Sequence, residues 1–565
     1  MKKLIYSAIA ATVLMTTTGC IEEIDPMTNI ATGDQVEQAP GSFDALTETM
    51  TSQLVGQFNY WPEQMFPMDY GYPSMFLIRD VMGQDMVCNN SGSYYAVWAF
   101  CTTGIYPEYA LCQFPWTDYN KWIKNCNVIL QQAGEEPAED RYVGVGIAYA
   151  LRALFYMDLS MMYAPETYAN NPQALTVPRV DQYTTTADGY HNPRLTNEKM
   201  FGYIIEDLDN AEKYLADYKR PNGKTPDLSV VYGLKARAYL YMGLWKEAEY
   251  YAKEAQKGYT MMSQEEYCDR DNGFNTHNSS WMLYVGFKSD DPCIQQNDAD
   301  SSWGSTMSYE IFHNNGRGCG YASNYGYQIA VIDRHLYETI PSTDFRKGLF
   351  VDFAINDIDP EAEDYDDQVI EFLSKYSDYP EELATTPVSP EYAYGVAGFS
   401  TKFRVAGGEA GHADQYVGFL QEIPLMRVEE MKLIEAEAAG MQQEGRGIQL
   451  LTEFAQTRDP NYKYGTHNEA YYNPKNTQFQ NEIWWQRRVE LWGEGFGLFD
   501  IKRFGKGIIR SYENTNHIDM YQWNVETTPT WMTFLFGGTE PTYNYDLIQN
   551  ELPKPPTSNS EPYVW

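Results

Sequence analysis

The sequence has few basic residues relative to its acidic ones, and few histidines. It contains 41 Lys and Arg against 78 Asp and Glu, which gives a net charge of −37. A phosphate backbone is repelled by such a field, so we expect no nucleic-acid partner, and an uncharged ligand is the natural expectation. The 7 histidines are scattered and form no His-Glu-x-x-His or comparable ligand pair.

Cysteine spacing does not point to a metal site either. None of the 8 cysteines has the Cys-x-x-Cys spacing that is typical of zinc sites. Apart from Cys20, discussed next, seven remain, and an odd number cannot all pair; we expect mostly unpaired thiols with at most one or two bridges. We predict no metal site and no cofactor. Calcium binding stays open, because oxygen ligands are plentiful but no loop has the spacing of a calcium motif.

Long apolar runs are scarce, and the one at the start of the chain is short. Residues 1–19 carry Lys2 and Lys3, an apolar run and then small residues, as a secretory signal does. The small residues before Cys20 are similar to a bacterial lipobox, although Thr17 stands where most lipoboxes have Leu. We expect a lipid on Cys20 that anchors the protein to a membrane, with plain signal cleavage as the alternative. No later segment has the ~20 uninterrupted apolar residues that a spanning helix needs.

Aromatic residues, by contrast, are abundant, at 15% of the chain with 47 Tyr and 13 Trp. Some of them must form the core between helices. The excess indicates exposed rings that could stack on a ligand.

Residues 225–257 have the pattern of a helical hairpin. Thr225 is a candidate cap with Pro226 at the first helical position, and Gly243 is placed to end the first helix. The second helix carries a stripe of small residues, at Ala248, Ala252 and Ala255. Small residues at a helix crossing, with aromatics between the helices, resemble the tetratricopeptide pattern. An ordinary hairpin in some other all-α protein is the alternative.

Further helices are predicted from three- and four-residue apolar spacing. They lie near residue 42 and at 76–85, 117–132, 141–163, 195–215, 423–439, 445–457 and 478–503. The fold class is therefore mainly all-α. We divide the chain into a signal (1–19), an acidic tether (20–41), a helical part (42–258), a loop-rich part (259–421) and a helical part (422–565).

Four blocks of the sequence, in order, resemble the SusD/RagB-like nutrient-binding outer-membrane lipoproteins of the Bacteroidetes. The blocks are 146–168 with Arg152 and Asp158, 332–347 with Asp344 and Arg346, 423–439 with Arg427, Glu430, Glu435 and Glu437, and 486–505 with Arg487, Arg488, Glu490, Glu494, Gly495, Asp500 and Arg503. The acids Glu22, Glu23 and Asp25 after Cys20 resemble the surface-export signal of lipoproteins in that group.

The resemblance implies a scaffold of tetratricopeptide-like hairpins and a loop-rich remainder that carries the ligand site. It implies a protein on the outer membrane, exposed at the cell surface, that acts with a TonB-dependent, SusC-like transporter. The ligands of the family are usually oligosaccharides and in some members peptides.

The charged residues of these blocks are interpreted as structural. A buried arginine needs a carboxylate partner, because an unpaired buried charge is costly. For Arg487 and Arg488 we expect partners among Glu435, Glu437 and Asp500.

Ligand contacts are expected in two segments rich in aromatics, amides and carboxylates, 59–98 and 271–327. Flat rings stack on the apolar face of a sugar, while amides and carboxylates bind its hydroxyls. The candidates stand beside Gly, Ser or Asn or carry planar polar groups, and are Trp98, Trp303, Tyr325, Tyr327, Tyr94, Asp80, Asn324 and Arg317.

The sequence thus favours binding of an oligosaccharide without catalysis. One alternative is a surface glycoside hydrolase that uses two carboxylates, but with 78 acids any pair could be chosen. Two others keep the fold and make the protein a peptide receptor or a structural adaptor.

Overall fold

The computed structural model describes residues 41–56, 68–88, 91–295, 302–308, 329–385 and 396–565. Cys20 and the predicted tether lie outside these ranges. The longer helices are α1 Ser42–Ser52, α2 Tyr72–Val81, α3 Ala110–Ala133, α4 Tyr142–Tyr163, α5 Asn197–Leu215, α6 Leu228–Met242, α7 Trp245–Ala255, α8 Tyr365–Leu373, α9 Val428–Gln442, α10 Glu444–Gln456, α11 Gln478–Glu490 and α12 Gly497–Phe504. The mainly all-α fold class is confirmed.

The helices form a stack in which each one packs on its neighbours along the chain. Contacts run from α3 to α4, α5, α6 and α7, pass from α7 to α9, and continue to α10 and α11. Such a stack buries a continuous core that no single hairpin could bury, as in tetratricopeptide arrays. The longest described helices, α3 and α4, lie at its start.

The hairpin of α6 and α7 confirms most of the prediction for residues 225–257. Gly243 ends α6 in the left-handed conformation, with φ of 72°. Ala248, Ala252 and Ala255 are all fully buried. The predicted cap at Thr225 is wrong, because Asp227 accepts the hydrogen bond from Val230 N at 3.1 Å and α6 begins after it.

Helix α4 is apolar on all sides and buried. Residues Glu139–Tyr163 are long and apolar enough to cross a membrane by composition, but 89% of the apolar window is buried inside the protein. This is the behaviour of a core helix. In the same region Thr196 caps α5, as predicted, by accepting from Lys199 N at 3.3 Å.

The helix predicted over 423–439 is partly wrong. Residues Glu422–Arg427 form strand β2, which pairs antiparallel with β1, Trp281–Gly286, and α9 starts only at Val428. Both strands are almost fully buried, so the apolar run Ile423–Met426 is continuous and cannot be told from a helix by periodicity. Two short strands, β3 Ile508–Ile509 and β4 Asn524–Val525, form a second pair.

Short elements occupy much of the region that the sequence predicts to be irregular. Besides α8, the described α-helices there are Gln264–Tyr267, Pro292–Gln295, Trp303–Met307, Arg334–Thr339, Pro380–Thr385, Gly408–Ala413 and Gln415–Gly418, and Gly273–Asn275, Phe345–Leu349 and Phe353–Asp357 are 3-10 helices. The division of the chain at residues 258 and 421 stays a prediction.

Buried ion pairs join the charged residues of these sequence blocks. Arg487 pairs with Asp500 at 2.7 Å, which confirms one predicted partner. Arg503 forms an ion pair with Glu437. Arg488 forms ion pairs with Asp85 and Glu469, neither of which is among its predicted partners.

Glu435, the remaining predicted partner, lies beside α7. It accepts from the side chain of Gln256 at 2.8 Å and lies 3.8 Å from Lys253. Its proposed pairing with Arg487 or Arg488 is therefore wrong.

The cysteines of the described ranges form no disulfide with one another. They are Cys88, Cys101, Cys112, Cys126, Cys268 and Cys293. Five of these six are buried, and the expectation of mostly unpaired thiols stays a prediction.

Candidate functional site

The predicted ligand residues fall into two groups. Arg317, Asn324, Tyr325 and Tyr327 lie outside the described residues, as does the lipidation site Cys20. The structure places the other four: Asp80, Tyr94, Trp98 and Trp303.

Trp303 lies inside the core, with no exposed surface. Its ring meets Tyr70, Phe76 and Phe403 edge to face, at centroid distances of 6.4, 6.5 and 5.0 Å. The adjacent Gly304 is misleading as a sign of exposure: a Cβ there would lie 2.3 Å from the ring of Phe419, so the glycine marks close packing. The prediction that Trp303 offers its face to a sugar is corrected.

Trp98 is also buried, with 2% of its surface exposed. It lies in the short helix Ala96–Ala99 and packs against Tyr95 and Phe114, with ring centroids 6.2 and 6.3 Å away. In this conformation both faces are inside the protein. Trp98 is therefore a core residue in this arrangement, and its predicted stacking role is corrected as well.

Asp80 holds two helices together. Its two carboxylate oxygens accept the backbone N–H groups of Gly495 and Gly497, both at 2.9 Å, and so tie α2 to the start of α12. Burial raises the pKa of Asp80 to about 7, although the two N–H donors oppose the shift. With both oxygens engaged, Asp80 acts as a structural joint, and the prediction of a ligand contact is corrected.

Tyr94 is half-buried and packs against the edge of the core. Its role in ligand binding stays a prediction. Its neighbour Tyr95 is held in place by a hydrogen bond, because the hydroxyl groups of Tyr95 and Tyr70 lie 2.6 Å apart.

Three described stretches of chain, near residues 87, 331 and 398, lie side by side. Val87 N donates to Val331 O at 2.8 Å, and Ile332 N donates to Gly398 O at 2.9 Å. Met86 and Ile332 are bridged, and so are Val331 and Phe399. Residues far apart in sequence thus form one small buried ladder.

The structure also contains an open trough that the sequence analysis missed. It consists of two neighbouring hollows, of about 650 and 570 Å³, both of which are lined by Asn192. We call them together the trough. Three stretches of chain line it: one face of α3, residues 178–192, and residues 540–547, where Glu540–Tyr543 forms a short helix.

Tyrosine rings are exposed along the trough. Tyr183 and Tyr543 expose 62% and 65% of their surface, and Tyr190 exposes 40%. Tyr190 stacks on Tyr545, with ring centroids 5.7 Å apart and planes 16° from parallel.

Hydrogen bonds hold the two loop walls of the trough together. Asn192 N donates to Asn544 Oδ1 at 3.1 Å, and Asn544 Nδ2 returns a bond to Asn192 O at 2.6 Å. Tyr545 N donates to Tyr190 O at 2.9 Å. The two asparagines are 352 residues apart in the chain, so no local sequence signal could have placed them together.

The floor and the charges of the trough are also well fixed. Trp116 packs on Phe536 with ring centroids 5.1 Å apart, and its side chain hydrogen-bonds Glu540. Burial raises the pKa of Glu540 above its ordinary value. Arg179 and Asp181 form an ion pair at 2.6 Å.

Within the described ranges no group of three or more His, Cys, Asp or Glu is arranged to hold a metal ion.

Comparison with known proteins shows the fold of the chain. No protein-family model matches the chain, and no curated protein is significantly similar to it in sequence. Solved structures do match over most of its length.

One such structure is a SusD-like carbohydrate-binding protein from Bacteroides vulgatus ATCC 8482. The match covers 90% of this chain and 97% of that one, at 22% identity and a TM-score of 0.66. The chain has the SusD fold. A SusD superfamily protein from Bacteroides thetaiotaomicron VPI-5482 matches 90% of this chain and 99% of its own, at 15% identity and a TM-score of 0.63.

The SusD fold is also seen in a structure solved with a sugar. Surface glycan-binding protein A from Bacteroides thetaiotaomicron, in complex with laminarihexaose, matches 90% of this chain and 99% of its own, with 16% identity and a TM-score of 0.61. The resemblance of the four sequence blocks therefore agrees with the fold.

Proposed function

We propose that this chain is a cell-surface lipoprotein that binds oligosaccharides without catalysis. The observation that carries the proposal is the fold, which the chain shares over 90% of its length with a protein solved in complex with laminarihexaose. The charge of −37 supports an uncharged ligand, and 47 tyrosines supply rings for stacking.

The protein delivers its glycan to a TonB-dependent, SusC-like outer-membrane transporter. Support for this step comes from the sequence alone. Residues 1–19 have the pattern of an export signal, Cys20 follows small residues as a lipidated cysteine does, and the acids Glu22, Glu23 and Asp25 resemble a surface-export signal.

The ligand contacts that remain from the sequence analysis are Tyr94, Arg317, Asn324, Tyr325 and Tyr327. They combine flat rings with planar polar groups, the two kinds of side chain that a sugar needs. We assign them to the main glycan site.

Isothermal titration tests the proposal. The panel contains neutral hexasaccharides of β-1,3-glucose (laminarihexaose), α-1,4-glucose, β-1,4-xylose and β-1,4-mannose, with uncharged peptides of similar length beside them. We expect at least one hexasaccharide to bind, and Tyr325→Ala/Tyr327→Ala to weaken it by about tenfold or more. Tyr250→Ala is the matched control, because Tyr250 is 57% exposed and lies on α7.

Three results would count against the proposal. Binding of peptides alone would make the protein a peptide receptor. Cleavage of a panel sugar, followed by chromatography, would make it an enzyme. Unchanged affinity in the Tyr325→Ala/Tyr327→Ala variant would remove these residues from the site.

The anchor is tested separately in the native host. We expect Cys20→Ser to move the protein from the membrane fraction to the soluble fraction and to prevent labelling with an alkyne fatty acid. Membrane association that survives the substitution would overturn the lipid anchor and leave glycan binding untouched.

A further inference from the structure

We propose that the trough is a second saccharide site, separate from the predicted ligand segments and able to take an uncharged sugar chain. None of its lining residues belongs to segments 59–98 or 271–327. The ligand class rests on the proposed function; the location rests on the described residues alone.

The dimensions of the trough suit a short sugar chain. Each hollow, at about 650 and 570 Å³, lies within the range of roughly 300–1,000 Å³ that ligand pockets occupy. Asn192 lines both hollows and so places them next to each other, which suits a chain of several sugar units lying across both. A concave surface of this kind differs from the broad interface, of roughly 800 Å² a side, that a stable protein partner needs.

Exposed rings stand in both hollows. Tyr183 lines the smaller hollow, and Tyr190 and Tyr543 line the larger one. A tyrosine that is more than 60% exposed, as Tyr183 and Tyr543 are, leaves its ring open to stack on the C–H face of a sugar. Rings spaced along a trough suit a polymer with a repeating apolar face.

Polar groups line the side opposite the loops. Thr117 lies three and four residues before Asn120 and Lys121, which in turn lie four and three residues before Lys124. The four therefore share a face of α3, which lines the larger hollow. Hydroxyl, amide and ammonium groups can all donate hydrogen bonds to sugar hydroxyls.

The charges that line the trough balance within a strongly acidic chain. The cations are Lys121, Lys124 and Arg179, and the carboxylates are Asp181, Asp188 and Glu540. Four of these six groups already have partners within the wall: Arg179 pairs with Asp181, Asp188 accepts from the backbone N–H of Thr185 at 2.9 Å, and Glu540 is hydrogen-bonded by the side chain of Trp116. A balanced lining is complementary to an uncharged ligand and offers no strong attraction to a polyanion.

The walls are ordered before any ligand arrives. The reciprocal bonds between Asn192 and Asn544, the bond from Tyr545 N to Tyr190 O and the capping box of Thr185 and Asp188 fix both loops. A site that is already in shape loses less conformational freedom on binding, which favours affinity.

The test compares four forms of the full-length mature protein: wild type, Tyr183→Ala/Tyr543→Ala in the trough, Tyr325→Ala/Tyr327→Ala in the predicted loop site, and all four substitutions together. Tyr250→Ala is again the control. Each is titrated with the four hexasaccharides named above, and hydrogen exchange is followed by mass spectrometry with and without laminarihexaose and the tightest-binding hexasaccharide. Circular dichroism and melting temperature confirm folding, which the exposed positions of Tyr183 and Tyr543 should leave intact.

We expect sugar to slow hydrogen exchange in peptides that cover 178–192 and 540–547 in wild type and in the loop variant. In the trough variant that protection should disappear, with affinity for this site reduced about tenfold or more. The combined variant should bind no sugar.

Three other results would each overturn the second saccharide site, and they differ in what they imply for the proposed function. If wild type binds sugar but peptides 178–192 and 540–547 show no protection, the trough is not a saccharide site and the proposed function stands. If no hexasaccharide binds wild type in either assay, the proposed function falls and the second site falls with it. If the trough variant keeps all sugar binding but no longer co-purifies with an outer-membrane transporter, the trough is a protein-docking face and the saccharide assignment is overturned.

Discussion

Arg427 and Glu494 form a bidentate ion pair inside the protein. Arg427 Nε donates to Glu494 Oε2 at 2.9 Å, and Nη2 donates to Oε1 at 2.8 Å. Arg427 also lies 3.2 Å from Glu490, whose carboxylate meets Arg346 and Arg458 as well. The pair joins the end of β2 to the turn after α11, so two of the sequence blocks that resemble the SusD family meet in one buried network.

Removal of Arg427 should be strongly destabilising. Arg427→Met leaves Glu490 and Glu494 with fewer cations in a site that water does not reach, and breaking a buried pair in this way costs about 3–5 kcal/mol. Urea unfolding measures the loss. The control is Arg334→Met, because Arg334 forms an exposed pair with Glu338 and should cost less than about 1 kcal/mol. Equal losses in the two variants would show that the network contributes no more than a surface pair.

The crossing of α9 and α10 depends on Gly447. A Cβ at this position would lie 2.2 Å from Gly440 Cα, which belongs to the backbone and cannot turn away. Gly447→Ala should therefore force the helices apart and lower the free energy of unfolding by about 1–3 kcal/mol.

Gly445, in the same helix, provides the matched control. A Cβ there meets nothing within 4 Å, so Gly445→Ala should be neutral or stabilise the helix by up to about 1 kcal/mol. Thermal unfolding of the two variants compares them directly. A stable Gly447→Ala protein would contradict the close crossing.

Low pH should lower the free energy of unfolding, in part through protonation of Glu469. Burial raises the pKa of this carboxyl, but Arg488 and His335 more than reverse the effect, so its pKa falls from 4.5 to about 2. As the pH falls, the carboxylate of Glu469 is protonated in the unfolded chain before it is protonated in the folded protein. The stabilisation is therefore complete above pH 4.5 and is lost as the pH falls towards 2.

Urea unfolding between pH 6 and pH 2.5 tests this dependence. Wild type should lose stability over this range, and Glu469→Gln should lose less, because its side chain cannot take up the proton. The difference has an upper bound of about 3 kcal/mol, at about 1.4 kcal/mol for each pKa unit. Parallel pH curves for the two proteins would rule out Glu469 as a source of the acid sensitivity.

Local signals predicted much of the helical scaffold. Gly243 ends α6 because only a residue that tolerates positive φ fits there, and Thr196 caps α5 through its own side chain. Such features depend on residues within one turn of each other. The cap of α6 was misplaced by two residues, since both Thr225 and Asp227 carry a suitable oxygen and only the fold selects between them.

Long-range contacts account for what the sequence did not predict. Strand β2 exists because Ile423–Met426 pairs with β1, more than a hundred residues earlier in the chain, and an apolar run carries no mark of that partner. The trough also depends on a long-range contact, the hydrogen bond between Asn192 and Asn544, which joins its two loop walls. A glycine beside Trp303 suggested an open loop, whereas it allows a tighter core.

Substitution of Trp303 distinguishes a structural role from a ligand contact, because stability and sugar affinity are measured on the same variant. Its ring is enclosed by Tyr70, Phe76 and Phe403, so Trp303→Leu leaves a cavity. The free energy of unfolding should fall by about 2–4 kcal/mol, less than the ~3–5 kcal/mol for truncation of a buried Trp to Ala, because Leu fills part of the space. Because the ring has no exposed surface, sugar affinity measured well below the melting temperature should stay within about threefold of wild type. Tyr327→Ala serves as the opposite case, with affinity reduced and stability retained. A Trp303→Leu protein that melts like wild type but binds sugar more than tenfold more weakly would mean that the ring leaves the core to meet the ligand, and the buried arrangement of Tyr70 and Trp303 would then describe only the unliganded protein.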